Sequence, residues 1–127
     1  MATYDDTEFA RKGVVSVSLN YRAGLLGFMV HPELSEESVH GSSGNYGFHG
    51  QIAVLKWVQN NIAAFGGDPE NVTVFGKSAG AMSIPILIEF PLADGLFVRS
   101  ILQSGAESMP PSFASGVTTL VAAEEAV

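Results

Sequence analysis

Apolar residues recur along this chain with two different periods, and the change of period marks the elements. Residues 14–19 alternate, with Val15, Val17 and Leu19 on one face and Val14 on the other, which predicts a strand. Residues 24–47 are punctuated by glycine and carry the turn cluster His40-Gly41-Ser42-Ser43-Gly44-Asn45, so they read as a loop. From about Gln51 to Phe65 the period lengthens, and Ile52, Leu55, Val58, Ile62 and Phe65 fall at three- and four-residue steps on one helical stripe. Gly66-Gly67-Asp68-Pro69 ends that helix, because glycine takes the left-handed closing conformation and proline cannot continue the hydrogen-bond ladder. Residues 72–75 predict a short buried strand, residues 79–89 an apolar helix, and residues 99–103 another strand. Strand, helix, strand, helix, strand in that order predicts an α/β fold with parallel strands joined by crossover helices. The stretch from Met109 onward predicts only a helix start near its end.

Composition narrows the picture. At 127 residues the chain is one domain at most, and its charged fraction of 15% against 46% apolar residues is low for a small independent domain. It reads as the interior of something larger. A net charge of -7 argues against nucleic acid and anionic membrane surfaces as partners. With no cysteine, there is neither a disulfide framework nor a thiolate metal site. The three histidines lend metal ligation little support, so no metal is expected, and nothing calls for a cofactor. The polar amino end shows no signal peptide, and Glu89, Pro91 and Asp94 interrupt the most apolar region, so no membrane span is predicted. Compartment and oligomeric state stay open. Asn71-Val72-Thr73 is read as a coincidental glycosylation sequon. Trp57, Phe65, Phe75 and Phe90 are read as core packing, and Asp68 and Glu70 as turn residues rather than an acid/base pair.

Phe75-Gly76-Lys77-Ser78-Ala79-Gly80 carries the candidate chemistry. A G-x-S-x-G pattern between a short apolar strand and an apolar helix is the setting of a nucleophile elbow, in which a sharp turn lifts the serine out at the apex. Gly76 and Gly80 are expected to be glycine because side chains there would collide across the turn. Ser78 is then the candidate nucleophile, and the backbone amide of Ala79, at the helix start, the candidate donor to a developing oxyanion.

Several further segments resemble the type-B carboxylesterase family, which includes the cholinesterases. They are Asn20-Tyr21-Arg22 with Gly24, Gly27 and Phe28, then Gly44-Asn45-Tyr46-Gly47, then residues 51–69. Asn71-Val72-Thr73-Val74-Phe75-Gly76 leads into Ser78, and Gly95-Leu96-Phe97 precedes Gln103-Ser104-Gly105. The resemblance runs from about Tyr4 to Glu107 and implies a partial α/β-hydrolase fold of about three parallel strands over residues 1–127. It implies hydrolysis of small carboxylic esters through an acyl-enzyme on Ser78. It also implies that Ser104 supports the acid–histidine pair from behind.

Acyl transfer needs a base for the serine proton and a carboxylate to orient that base. In α/β-hydrolases both follow the serine in the chain. Here His31, His40 and His49 all precede Ser78, and Glu107 comes too soon after Gln103-Ser104-Gly105 to match the family acid. The family's His-Gly-Gly-Gly oxyanion loop would lie just before Ala2. The expectation is a core fragment holding the nucleophile and one oxyanion donor, inactive by itself. Two rivals stay open, a non-catalytic truncated product and a cholinesterase-like adhesion module.

Three positions depart from the family. Gly50 replaces an aspartate that pairs with the arginine at Arg22, and a buried Arg22 without its partner would cost about 3–5 kcal/mol. Lys77 reverses the charge usual beside the nucleophile, which would disfavour cationic esters unless the lysine is simply solvated. Pro85 should kink or end the helix after the elbow.

Overall fold

The computed structural model describes residues 6–105 and 120–125. Along the chain lie α1 (Thr7–Arg11), α2 (Leu25–Phe28), α3 (Pro32–Glu37), α4 (Tyr46–Asn61), β1 (Thr73–Lys77), α5 (Ala79–Glu89), β2 (Arg99–Gln103) and α6 (Leu120–Glu124). β1 and β2 pair in parallel, from Thr73 opposite Arg99 to Lys77 opposite Gln103, with α5 as the crossover between them. One residue of ladder continues at each end. The Val98 amide donates to the Val72 carbonyl at 2.9 Å, and the Ser78 amide to the Gln103 carbonyl at 2.9 Å.

The α4 stripe builds the core. Ile52, Leu55, Val58 and Ile62 are buried, and Ile52 and Leu55 cluster with Leu87 of α5 and Ala93. Val74, Phe90, Leu96 and Phe97 pack against that cluster. The last stripe position fails: residues 62–65 tighten into a 3-10 turn, which rotates Phe65 out to 63% exposure beside Trp57. Gly66 closes the helix at φ +80°, as predicted, and a Cβ on Gly67 would stand 2.6 Å from Ile62 Cγ1. Asp68 Oδ1 accepts from the Glu70 amide at 2.9 Å, which makes Asp68 a turn cap. Gln59 Nε2 ties α4 to two loops, donating to the carbonyls of Pro69 and Leu96 at 2.8 and 3.0 Å.

Five other expectations are corrected. Among the described residues the sheet has two strands, not three, because residues 14–19 have no ladder neighbour and lie extended with Val14, Val15, Val17 and Leu19 exposed. Alternation marks a chain able to be a strand; a partner makes it one. β1 is not buried on both faces either. Val74 faces the core, while Phe75 is half exposed beside its half-exposed cross-strand partner Ile101, with Phe9 leaning on it at 5.6 Å. Trp57, Phe65 and Phe75 are therefore rim or surface residues, and of the four aromatics only Phe90 packs on the core. The stretch 24–47 is not all loop, since α2 and α3 form within it and α4 begins at Tyr46. Pro85 does not end α5, which runs on to Glu89 with Ile84 and Leu87 buried on either side of it. The helical end expected beyond Met109 is seen as α6, whose Glu124 accepts a hydrogen bond from Ser35 Oγ.

Candidate active site

Parallel pairing sends both strands to the same edge, and each continues past that edge into a serine. Ser78 follows Lys77 of β1 and Ser104 follows Gln103 of β2, one step beyond the last paired positions. Both serines have left-handed φ, +53° at Ser78 and +54° at Ser104. Non-glycine residues adopt such angles at a cost of about 1–3 kcal/mol, and only where the surroundings hold them there. At Ser78 two hydrogen bonds do the holding. Its amide is tied to Gln103, and its carbonyl accepts from the Met82 amide at 2.9 Å. Gly105 lies so near that a Cβ there would stand 3.0 Å from that carbonyl oxygen.

The turn is as tight at Gly76 as its pattern predicts. A Cβ there would lie 2.5 Å from the Gly80 carbonyl carbon and 2.7 Å from its oxygen. Gly80 is different: a Cβ at that position meets nothing within 4 Å, so the expected collision exists only at the first glycine. What the pattern missed is Gly105, where a Cβ would stand 2.5 Å from Ala81 Cβ. The signal was present in the sequence as a glycine two residues past a strand end, but nothing local marks which helix it touches.

Ser78 is solvent-exposed, and its Oγ has no hydrogen-bond partner among the described residues. Ala79 opens α5, so its amide has no acceptor within the helix. Lys77 is exposed beside Ser78. The first turn of α5 is anchored from inside by a polar chain that the sequence reading did not find. Buried Gln51 donates through Nε2 to Ser83 Oγ at 3.3 Å, and Ser83 Oγ donates to the Ala79 carbonyl at 3.0 Å. A serine four residues after Ala79 and a glutamine on the α4 stripe were the available signals.

Two of the three histidines are engaged elsewhere. His31 caps α3, its Nδ1 accepting from the Glu33 amide at 3.3 Å, and His49 stands edge-on to Phe90 at 6.0 Å. His40 is exposed in the turn after α3. Glu107 lies outside the described residues. Arg22 is exposed rather than buried, so the 3–5 kcal/mol penalty foreseen for it does not arise. No group of three or more potential metal ligands occurs among the described residues.

Because the strain at Ser78 belongs to any residue with a Cβ, Ser78→Gly is expected to raise stability by about 1–2 kcal/mol. Ser78→Ala should give no such gain. Urea unfolding of the two variants checks this, and equal stabilities would show that the elbow is unstrained.

Relatives and solved structures point the same way as the geometry. The chain is 55% identical over 107 residues to the fumonisin B1 esterase of Sphingopyxis macrogoltabida, covering 84% of this chain and 20% of that protein. It is 51% identical over 104 residues to the para-nitrobenzyl esterase of Bacillus subtilis, covering 81% of this chain and 20% of the relative. A Geobacillus stearothermophilus carboxylesterase structure superposes with a TM-score of 0.74 at 47% identity, over 88% of this chain and 24% of that one. The chain thus spans about a fifth of the length of the curated relatives it matches. Over the length it does span, it is the strand–elbow–helix part of an α/β-hydrolase fold. The carboxylesterase family profile matches residues 1–125, and the chain belongs to that family.

Proposed function

We propose that Ser78 is the nucleophile of a carboxylic-ester hydrolase and that these residues form the elbow portion of its domain. The observation that carries this is the exposed, left-handed Ser78 at the edge of the parallel strands and the start of α5. In the proposed reaction Ser78 Oγ attacks the ester carbonyl carbon while a base removes its proton. The carbonyl oxygen becomes an oxyanion facing the Ala79 amide. Collapse of the tetrahedral adduct breaks the bond to the alcohol, which leaves with the proton, and water then releases the acid from Ser78. Ser104, at the matching position on β2, is the neighbour suited to orient whatever group receives the proton.

That base has to come from outside these 127 residues, because none of His31, His40 and His49 is held at Ser78. The substrate class is a small carboxylic ester, as the names of the two relatives suggest. Lys77 biases the choice against cationic esters, since a positive charge next to the nucleophile repels a like charge on the substrate.

A chimera tests this reading. Residues 6–105 replace the matching segment of the para-nitrobenzyl esterase, and hydrolysis of a nitrophenyl ester is measured beside the Ser78→Ala version. Turnover that falls about a millionfold in Ser78→Ala is the expected result. A folded chimera whose turnover ignores Ser78 would sink the assignment. The 127-residue chain alone should not react with a fluorophosphonate probe at catalytic rates, and rapid labelling dependent on Ser78 would refute the missing base.

A further inference from the structure

A second cleft lies away from the elbow. It has a volume of about 450 Å³ and is lined by Asn20, Tyr21 and Arg22 on one side and Tyr46, His49, Gly50 and Ala53 of α4 on the other. Neither Ser78 nor Ser104 lines it. We propose that this cleft binds a small carboxylate, with the Arg22 guanidinium as its charge partner.

Three observations converge on that ligand. The first is the imbalance of the lining. It offers a guanidinium, two phenols, an amide and an imidazole and contains no acidic residue, although the chain has 13 acidic residues to 6 basic ones. The second is the state of Arg22. Among the described residues the one ion pair is Arg11 with Glu8, and Arg99 donates to Asn71 Oδ1, while Arg22 has neither kind of partner. A guanidinium carries five donors in a planar fork matched to a carboxylate, so Arg22, exposed and lining the cleft, has all of them to offer to an anionic acceptor.

The third is Gly50. It sits in the interior of α4 without a positive φ, where glycine costs about 1 kcal/mol relative to alanine and no backbone geometry requires it. A Cβ there would meet only Tyr21 Cβ, at 3.9 Å, so the missing side chain leaves open space beside Arg22. Tyr46, His49, Gly50 and Ala53 fall at helical steps on the first two turns of α4, whose amino-terminal dipole adds to the attraction for an anion. A single negative charge suits the site better than a phosphate dianion. One guanidinium neutralises one charge, and the rest of a chain of net charge -7 repels the second.

Titrating the isotopically labelled chain with sodium acetate at constant ionic strength, followed by amide NMR, tests the proposal. Saturable shifts at His49, Gly50 and Ala53 are expected, with a dissociation constant of about 1–10 mM. Arg22→Gln should weaken binding at least about tenfold. Gly50→Ala fits the space and should keep the response, whereas Gly50→Asp supplies a carboxylate of its own and should lose it. Shifts that never saturate, that sulfate reproduces at matched ionic strength, or that survive Arg22→Gln would overturn the site. So would a spectrum without the dispersion of a folded chain, since the cleft exists only between packed elements.

Discussion

Replacing Gly76 with alanine is expected to destabilise the chain by about 3 kcal/mol, while the same change at Gly80 is neutral or stabilising by up to about 1 kcal/mol. The two glycines look equivalent in the G-x-S-x-G pattern but stand in different surroundings. A Cβ on Gly76 would lie 2.5 Å from Gly80 C, 2.7 Å from Gly80 O and 2.9 Å from the Ala81 nitrogen. All three atoms are backbone in the first turn of α5, so no side chain can turn aside, and the strand must separate from the helix. Separation would pull Ser78 away from Gln103, whose carbonyl holds the Ser78 amide at 2.9 Å. At Gly80 a Cβ projects into open space from a helical position, where alanine is the better helix former. Urea unfolding of both variants measures the difference. Equal losses at the two positions would mean that the pattern reflects helix entry in general and not one backbone crossing.

That asymmetry shows what sequence reading could and could not reach. The helix over residues 79–89 and the strand over residues 99–103 were legible to the residue, because a strict local pattern and a nearby breaker bound each of them. Residues 14–19 have an equally good alternation and form no strand, since a ladder partner is a property of the fold and not of the segment. Phe65 and Phe75 fail as core residues for related reasons. One lies where an α-helix tightens to a 3-10 turn, the other on a sheet face that α4 and α5 leave uncovered. The placing of Ser78 and Ser104 just past the paired strands, and the tight turn at Gly76, were visible through spacing and resemblance. The Gln51–Ser83 link and the close approach of Gly105 to α5 join residues more than twenty apart, and no local pattern encodes such contacts.

Gly105→Ala should be nearly as damaging as Gly76→Ala, at about 3 kcal/mol, but with a different remedy. The atom in the way is first a side chain. A Cβ on Gly105 would stand 2.5 Å from Ala81 Cβ, ahead of the Ser78 carbonyl oxygen at 3.0 Å and the Ala81 carbonyl carbon at 3.1 Å. Ala81 is fully buried, so it cannot yield by moving outward. Removing its methyl group is the direct relief. Ala81→Gly alone is expected to cost about 1 kcal/mol from helix propensity, plus the packing it loses. Combined with Gly105→Ala it should recover more than half of the loss, a coupling of at least about 1 kcal/mol between two residues that touch. No comparable rescue is available at Gly76, where the obstacle is main chain. Urea unfolding of the two single variants and the double variant measures the coupling. If the two changes were simply additive, the crossing of β2 over the start of α5 would not be what fixes the angle at Ser78. A coupled pair would identify Gly105 as the residue that holds the elbow closed from the second strand, a role that the serine motif itself does not contain.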